Sequence, residues 1–313
     1  MSFPLRKKLQ NLPFIRIFLF SGLFLIVFII TGLGFLRKGK SDYALWVTVA
    51  QGDTWKAHAA YLAVEGVSIY YDTSITLQNV TRVSPKDGMK QMLVPAGEFL
   101  MGVRKENNTA PAHNVYLDAF WIDMTEVTNE MYAHCVEAGI CKQPALSYLD
   151  DSHYDDKTYQ KHPVVYVNWF QASNYCEWVG RRLPTEAEWE KAARGTDNRP
   201  YPWGNDHPDP GLLNFDSTID STTPVYWFPF GASPYGALNM AGNVREWAWD
   251  WYADDYYLSS PYQNPMGPEQ GDKRSLRGGS FTDISRRVRV DNRLSHDPYS
   301  PGYNRGFRCA ESQ

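Results

Sequence analysis

The sequence predicts a mixed α/β domain with much irregular structure, preceded by one transmembrane helix. Three observations predict it. One apolar segment of membrane-spanning length lies near the start. Behind it, short β-like and helical runs alternate between turn residues. The composition joins large aromatics to backbone breakers, with 11 Trp, 20 Tyr, 20 Pro and 23 Gly, which fits ordered loops better than long helices. The 313 residues are 43% hydrophobic and 21% charged, enough for a substantial core in one large or two small domains. A formal net charge of -4 supplies no basic field for a nucleic-acid partner.

Residues 14–36 are almost wholly apolar, with an early charge at Arg16 and none from Ile17 to Leu36. Twenty helical residues span about 30 Å, the thickness of the hydrocarbon layer. A short tail, 1–13, precedes this segment. Arg6, Lys7 and Lys8 lie before it and Arg37, Lys38 and Lys40 after it, so the positive-inside rule gives little direction. A cleaved signal peptide shares the basic start and apolar core. The length of the run and the lack of a small-residue exit at Thr31-Gly32-Leu33-Gly34-Phe35 favour an uncleaved membrane anchor.

Residues 41–84 read as a small membrane-proximal β-rich segment, with strand-like runs at Tyr43 to Val49, Val67 to Tyr71 and Ile75 to Val83. Ser84-Pro85-Lys86-Asp87-Gly88 marks the entry to the main domain, 85–313. Met92 to Gly102 then reads as strand, turn, strand, and Val115 to Ile122 as a further strand. Thr128 or Asn129 caps a helix through Tyr132 to Ala138, closed by Gly139. Val167 to Val179 is a second helix ending at Gly180. Thr185 and Glu188 form a capping box for a third, which runs through Trp189 to Gly195.

The chemistry-bearing residues exclude several classes. There is no HExxH, no CxxC, no phosphate loop and no local histidine cluster. Four cysteines, Cys135, Cys141, Cys176 and Cys309, permit three complete pairings. A local Cys135–Cys141 bond would staple the reversal at Gly139. Disulfides belong across the membrane from the cytoplasm. That sets the expected topology: N-terminus cytoplasmic, main domain extracytoplasmic, whether periplasmic or extracellular. If 285–293 is extended, Arg287, Arg289, Asp291 and Arg293 share one face, opposite Val288 and Val290. With Ser280 and Asp283 those arginines make a candidate ligand pocket for a carboxylate, phosphate or acidic peptide. A structural Arg–Asp network is the competing reading.

Several motifs occur in series. They are Gly180-Arg181-Arg182-Leu183-Pro184-Thr185-Glu186-Ala187-Glu188-Trp189-Glu190, Tyr201-Pro202-Trp203-Gly204 and Tyr235-Gly236-Ala237-Leu238-Asn239-Met240-Ala241-Gly242-Asn243-Val244-Arg245-Glu246-Trp247. Leu276-Arg277-Gly278-Gly279-Ser280-Phe281 and Asn304-Arg305-Gly306-Phe307-Arg308-Cys309 complete them. Together they resemble the formylglycine-generating-enzyme, or sulfatase-modifying-factor, family from about residue 90 to the end. The resemblance implies a C-type-lectin-like fold and a Cys176–Cys309 disulfide. It also implies a structural calcium at Asn239, Gly242, Asn243 and Glu246, and a second calcium site at Asn214 and Asp220. The family's copper chemistry uses two cysteines shortly after Gly-Gly-Ser, but here those positions fall on Asp283 and Val288. Neither is a ligand for Cu(I), a soft metal suited to sulfur, so no copper is expected. The function expected is therefore that of a membrane-anchored binding or assembly protein. It would serve as a subunit of, or accessory to, an envelope or membrane complex, with a protein partner and a peptide or glycan ligand. The alternative is an oxidoreductase of the same family acting through a noncanonical site.

Overall fold

The computed structural model describes residues 43–51, 54–62, 81–103, 107–145 and 153–313. The chain divides into two units, 1–78 and 79–313. The expected membrane span at 14–36 and the strand-like run at 67–71 lie outside the described residues. Among those described, no helix is long and apolar enough to cross a membrane. In the first unit, β1 (Tyr43–Gln51) pairs antiparallel with β2 (Thr54–Leu62), in register from Tyr43 opposite Leu62 to Gln51 opposite Thr54. Sequence reasoning found β1 and missed β2, whose Thr-Trp-Lys-Ala-His-Ala-Ala run shows no clean alternation.

The second unit begins earlier than the expected 85, because β3 (Thr81–Val83) pairs with β4 (Lys90–Val94) inside it. Ser84 and Gly88 close the turn between them, Gly88 N–H donating to the Ser84 carbonyl at 3.0 Å. β5 (Gly97–Met101) and β6 (His113–Leu117) form a hairpin, and β7 (Phe120–Asp123) follows. The apolar run expected as one strand from Val115 to Ile122 is thus two, broken at Asp118 and Ala119. β12 (Ala310–Ser312) returns from the chain end, giving a sheet in the order β12-β7-β4-β3. A second sheet, β10-β9-β8-β11, is built from β8 (Arg245–Trp251), β9 (Arg274–Arg277), β10 (Leu294–His296) and β11 (Arg305–Gly306). Only β11 against β8 is parallel in it.

The helices are α1 (Asn129–Glu137), α2 (Trp169–Trp178) and α3 (Glu186–Arg194). Each starts where a side chain satisfies an orphan N–H. Thr128 accepts from Met131 N, and Asn168 and Thr185 form capping boxes with Gln171 and Glu188. α3 is buried on every side. Trp189, Ala192 and Ala193 pack with Phe99, Met101, Val115 and Ile122. Its polar residues are buried because each has a partner. Lys191 Nζ donates to the Pro95 and Gly97 carbonyls at 2.8 Å each. Glu190 pairs with Arg194 and Arg277, and Glu186 with Arg293. A second core joins α1 and α2 through Tyr132, Tyr175, Trp247 and Phe307. The disulfides are Cys135–Cys141 and Cys176–Cys309, the second tying α2 to the chain end across a separation of 133 residues.

Candidate functional site

The site is built where β9 ends. Gly278 and Gly279 have φ of 86° and 71°, a region other residues rarely adopt. A Cβ on Gly279 would sit 2.7 Å from the Arg287 carbonyl and 2.9 Å from Val288 Cγ1, so only glycine lets the following loop fold back this closely. The turn delivers Ser280, fully buried, to Asp283. Ser280 N–H and Oγ–H both donate to Asp283 Oδ2 at 2.9 Å. From β8, Arg245 grips the same carboxylate bidentately, Nε to Oδ2 and Nη2 to Oδ1, at 2.8 Å each. Burial pushes the Asp283 carboxyl upward, but the Arg245 hydrogen bonds and charge and the Ser280 donors outweigh it and hold it below its ordinary value. Asn304 Nδ2 closes the cluster, 3.4 Å from both Ser280 Oγ and Thr282 Oγ1.

The segment 285–293 corrects an expectation. It is a series of turns, not an extended strand, and the Arg287 N–H bond to the Ile284 carbonyl at 2.8 Å marks one of them. Val288 and Val290 are fully buried, but the arginines diverge. Arg287 is exposed and lies 3.6 Å from Asp283. Arg289 pairs with Asp291 at 2.8 Å. Arg293 is buried against Glu186 at 2.8 Å. The structural Arg–Asp network therefore describes this segment, and of the expected pocket residues only Ser280, Asp283 and Arg287 come together. Alternation of Val with Arg suggested a strand with two faces. It carried no signal that Gly279 would bend the chain.

Beside this cluster lies a cavity of about 310 Å³, lined by Phe281, Thr282 and Tyr303 from the segments around the cluster, by Tyr159, Pro163 and Val165, and by Ser217, Asp220, Ser221 and Thr222. Asn129 and His153 also line it. The Asn129 amide donates to the Tyr159 carbonyl at 3.0 Å, while its buried Oδ1 has no partner. Asn129 lines the cavity and keeps one unsatisfied acceptor.

Asn239, Asn243 and Glu246, expected to hold calcium, are engaged by other side chains. Asn239 and Asn243 adopt positive φ, 54° and 57°, and their amide groups donate to the two oxygens of Glu126 at 2.8 and 2.9 Å. Glu246 is held by Arg308 and by the Trp189 ring N–H at 2.8 Å. Gly242 packs against Asn214, where a Cβ would lie 2.3 Å from the backbone carbonyl. Asn214 donates to the Ser221 carbonyl at 2.8 Å, and its Oδ1 is buried without a partner. Asp220 is exposed at the cavity. Of these residues, Asn214 is the one that offers a buried, unused side-chain oxygen to a hard cation. The Glu246 carboxylate already neutralises a guanidinium. Sequence reasoning missed Glu126, Arg245 and Arg308 as partners, although the last two stand inside the quoted motifs.

The residues present do not fit the family's copper. Asp283 is a hard ligand engaged by an arginine, Val288 is fully buried hydrocarbon, and all four cysteines are joined in disulfides.

Residues 78–313 match the family described as Sulfatase-modifying factor enzyme 1-like domain. Similar proteins include "Serine/threonine-protein kinase pkn1" of Chlamydia caviae, 39% identical over 73% of this chain, and the chain spans only 39% of that protein's length. "Formylglycine-generating enzyme" of Streptomyces coelicolor is 33% identical over 72% of this chain and 90% of its own. Among solved structures, PvdO from Pseudomonas aeruginosa superposes with a TM-score of 0.64 at 25% identity, covering 74% of this chain and 98% of that one. By match, identity and shared fold, the chain belongs to the sulfatase-modifying-factor, or formylglycine-generating-enzyme-like, family.

Proposed function

We propose that this chain is a membrane-anchored, extracytoplasmic member of the family that binds a peptide segment of a protein partner, and does not oxidise it. One observation carries the reading. At the first position where the family's copper thiolate is expected, Asp283 is buried and clamped by Arg245 and Ser280. A cluster satisfied in this way is a rigid wall, and the adjoining cavity with its unused Asn129 acceptor supplies the binding feature. The anchor at 14–36 and the location across the membrane from the cytoplasm belong to the same proposal, supported by the apolar run and by two disulfides. So does assembly into a membrane complex. Structural calcium also belongs to it, with Asn214 as the side chain whose free oxygen fits best.

The test is selection of a random heptapeptide library on the full chain in detergent micelles. Peptides sharing a motif should be retained by the native chain and lost on Ser221→Trp, which fills the cavity. No enrichment above blank micelles would remove the peptide reading.

A further inference from the structure

The segment from Ser221 to Val244 carries no charged residue, and its first half turns large aromatics outward. Tyr226, Trp227 and Phe230 are 49%, 60% and 77% exposed, so most of the surface of the last two meets water. Single exposed apolar residues are ordinary, but three aromatics within five positions mark a contact surface. The backbone holds them there. Trp227 N–H donates to the Pro224 carbonyl at 3.0 Å and Gly231 N–H to the Phe228 carbonyl at 3.1 Å, so two tight turns follow each other. Val225 is fully buried, donates its N–H to the Lys161 carbonyl at 3.0 Å and accepts from the Asn239 amide at 2.9 Å. Phe228 is buried between the turns. Gly231 packs so closely that a Cβ there would lie 2.0 Å from the Leu212 carbonyl. Val225, Phe228 and Gly231 thus pin the loop from within, and the backbone cannot turn the three aromatics inward without breaking those contacts.

The chemistry of the tip says what covers it. From Tyr226 to Phe230 the exposed side chains are Tyr, Trp, Pro and Phe, with no exposed aliphatic group and no charge. The charge beside the loop is balanced, because Lys161, whose carbonyl holds Val225, pairs with Glu130. Protein interfaces rich in aromatics also draw on arginine and a polar rim. An uncharged Tyr and Trp edge is instead the composition that concentrates where lipid chains meet water. The tether permits that contact. Residues 37–78 join the apolar run 14–36 to the second unit, and a chain of that length reaches up to about 140 Å.

We propose that Tyr226, Trp227 and Phe230 form a membrane-contact loop that seats in the interfacial layer of a zwitterionic bilayer, the one that holds the anchor. This rests on the membrane-anchored part of the reading above and adds a consequence for the cavity. Thr222 lines the cavity and stands four residues before Tyr226, so their Cα atoms are within about 14 Å of each other. With the loop seated, the cavity lies close to the membrane surface, where a juxtamembrane segment of a membrane-held partner reaches it.

Tryptophan emission of the full chain, one per phosphatidylcholine nanodisc, tests this. Trp227→Phe removes one of 11 indoles and keeps the tip apolar, so native minus variant emission reports Trp227. Lipid brominated high on its acyl chains should quench that difference more than about twofold, as residence in the interfacial layer requires, and acrylamide in the water should leave it nearly unchanged. A difference open to acrylamide and untouched by brominated lipid overturns the loop, while retention of the chain in the disc keeps the anchor. Protection from both quenchers also overturns the loop, since protein then covers the indole. Recovery of the chain in the lipid-free fraction overturns the anchor and this proposal together. Partial exchange of phosphatidylcholine for phosphatidylserine should leave the quenching unchanged, and a rise of about twofold would overturn the zwitterionic assignment.

Discussion

Arg308 clasps Glu246 with two hydrogen bonds, 2.6 Å from Nε to Oε2 and 2.7 Å from Nη2 to Oε1, and neither side chain reaches solvent. The same guanidinium donates to the carbonyls of Asp123, Met124 and Leu238, so one side chain locks the chain end to β7 and to the loop before β8. Removing one partner of such a pair leaves a buried charge, at a cost of about 3–5 kcal/mol. Glu246→Ala is expected to lose that much in urea denaturation with or without calcium. A loss below about 1 kcal/mol would show that the pair is not buried as described.

Glu126 gives a pH dependence of definite sign. Burial, followed by the opposing pull of Arg308 and repulsion from Glu246, raises its pKa from 4.5 to about 7. The folded state then holds a proton that the unfolded state has released, so stability is greatest below the unfolded pKa and falls as pH rises toward about 7. Denaturation midpoints at pH 5 and pH 7 should show this decline, and Glu126→Gln should flatten it. An equal slope in the variant would assign the titration to another group, with Asp123, raised to about 6 by burial, the first to examine.

The Cys176–Cys309 bond closes a separation of 133 residues, whereas Cys135–Cys141 closes 6. On the loop-entropy account the first contributes more, on the order of 2–4 kcal/mol. Cys176→Ser with Cys309→Ser should lower the melting temperature more than Cys135→Ser with Cys141→Ser. Non-reducing peptide mapping should recover both pairs from freshly isolated membranes, and free thiols at 176 and 309 would refute the pairing.

If calcium occupies the free oxygen of Asn214, chelation should lower the melting temperature of the native chain, and restored calcium should recover it, since a ligand of the folded state stabilises it. Asn214→Ala should remove the response. An unchanged response in that variant would place the ion elsewhere.

Local rules made much of this legible in the sequence. Thr185 and Glu188 announced α3 because a capping box acts within four residues, and Gly139, Gly180 and Gly195 marked the ends of the three helices. The positions of Asp283 and Val288 followed from motif order. What failed depended on distant contacts. The 285–293 segment alternates like a strand, but Gly279 allows its backbone to approach Arg287 and fold it into turns. The hydrogen-bond partners of Asn243 and Glu246 were not legible either, because Glu126 lies 117 residues from Asn243 and Arg308 lies 62 residues from Glu246. Spacing within a motif cannot report a partner brought from another element.

The most direct test of the account is chemical. Full chain loaded with copper is incubated with oxygen, a reductant and a cysteine-containing sulfatase-type peptide, and the peptide is followed by mass spectrometry. With Asp283 held by Arg245, Val288 buried and every cysteine in a disulfide, the peptide cysteine should remain unconverted. Appearance of an aldehyde at that cysteine, abolished when copper is withheld, would contradict it.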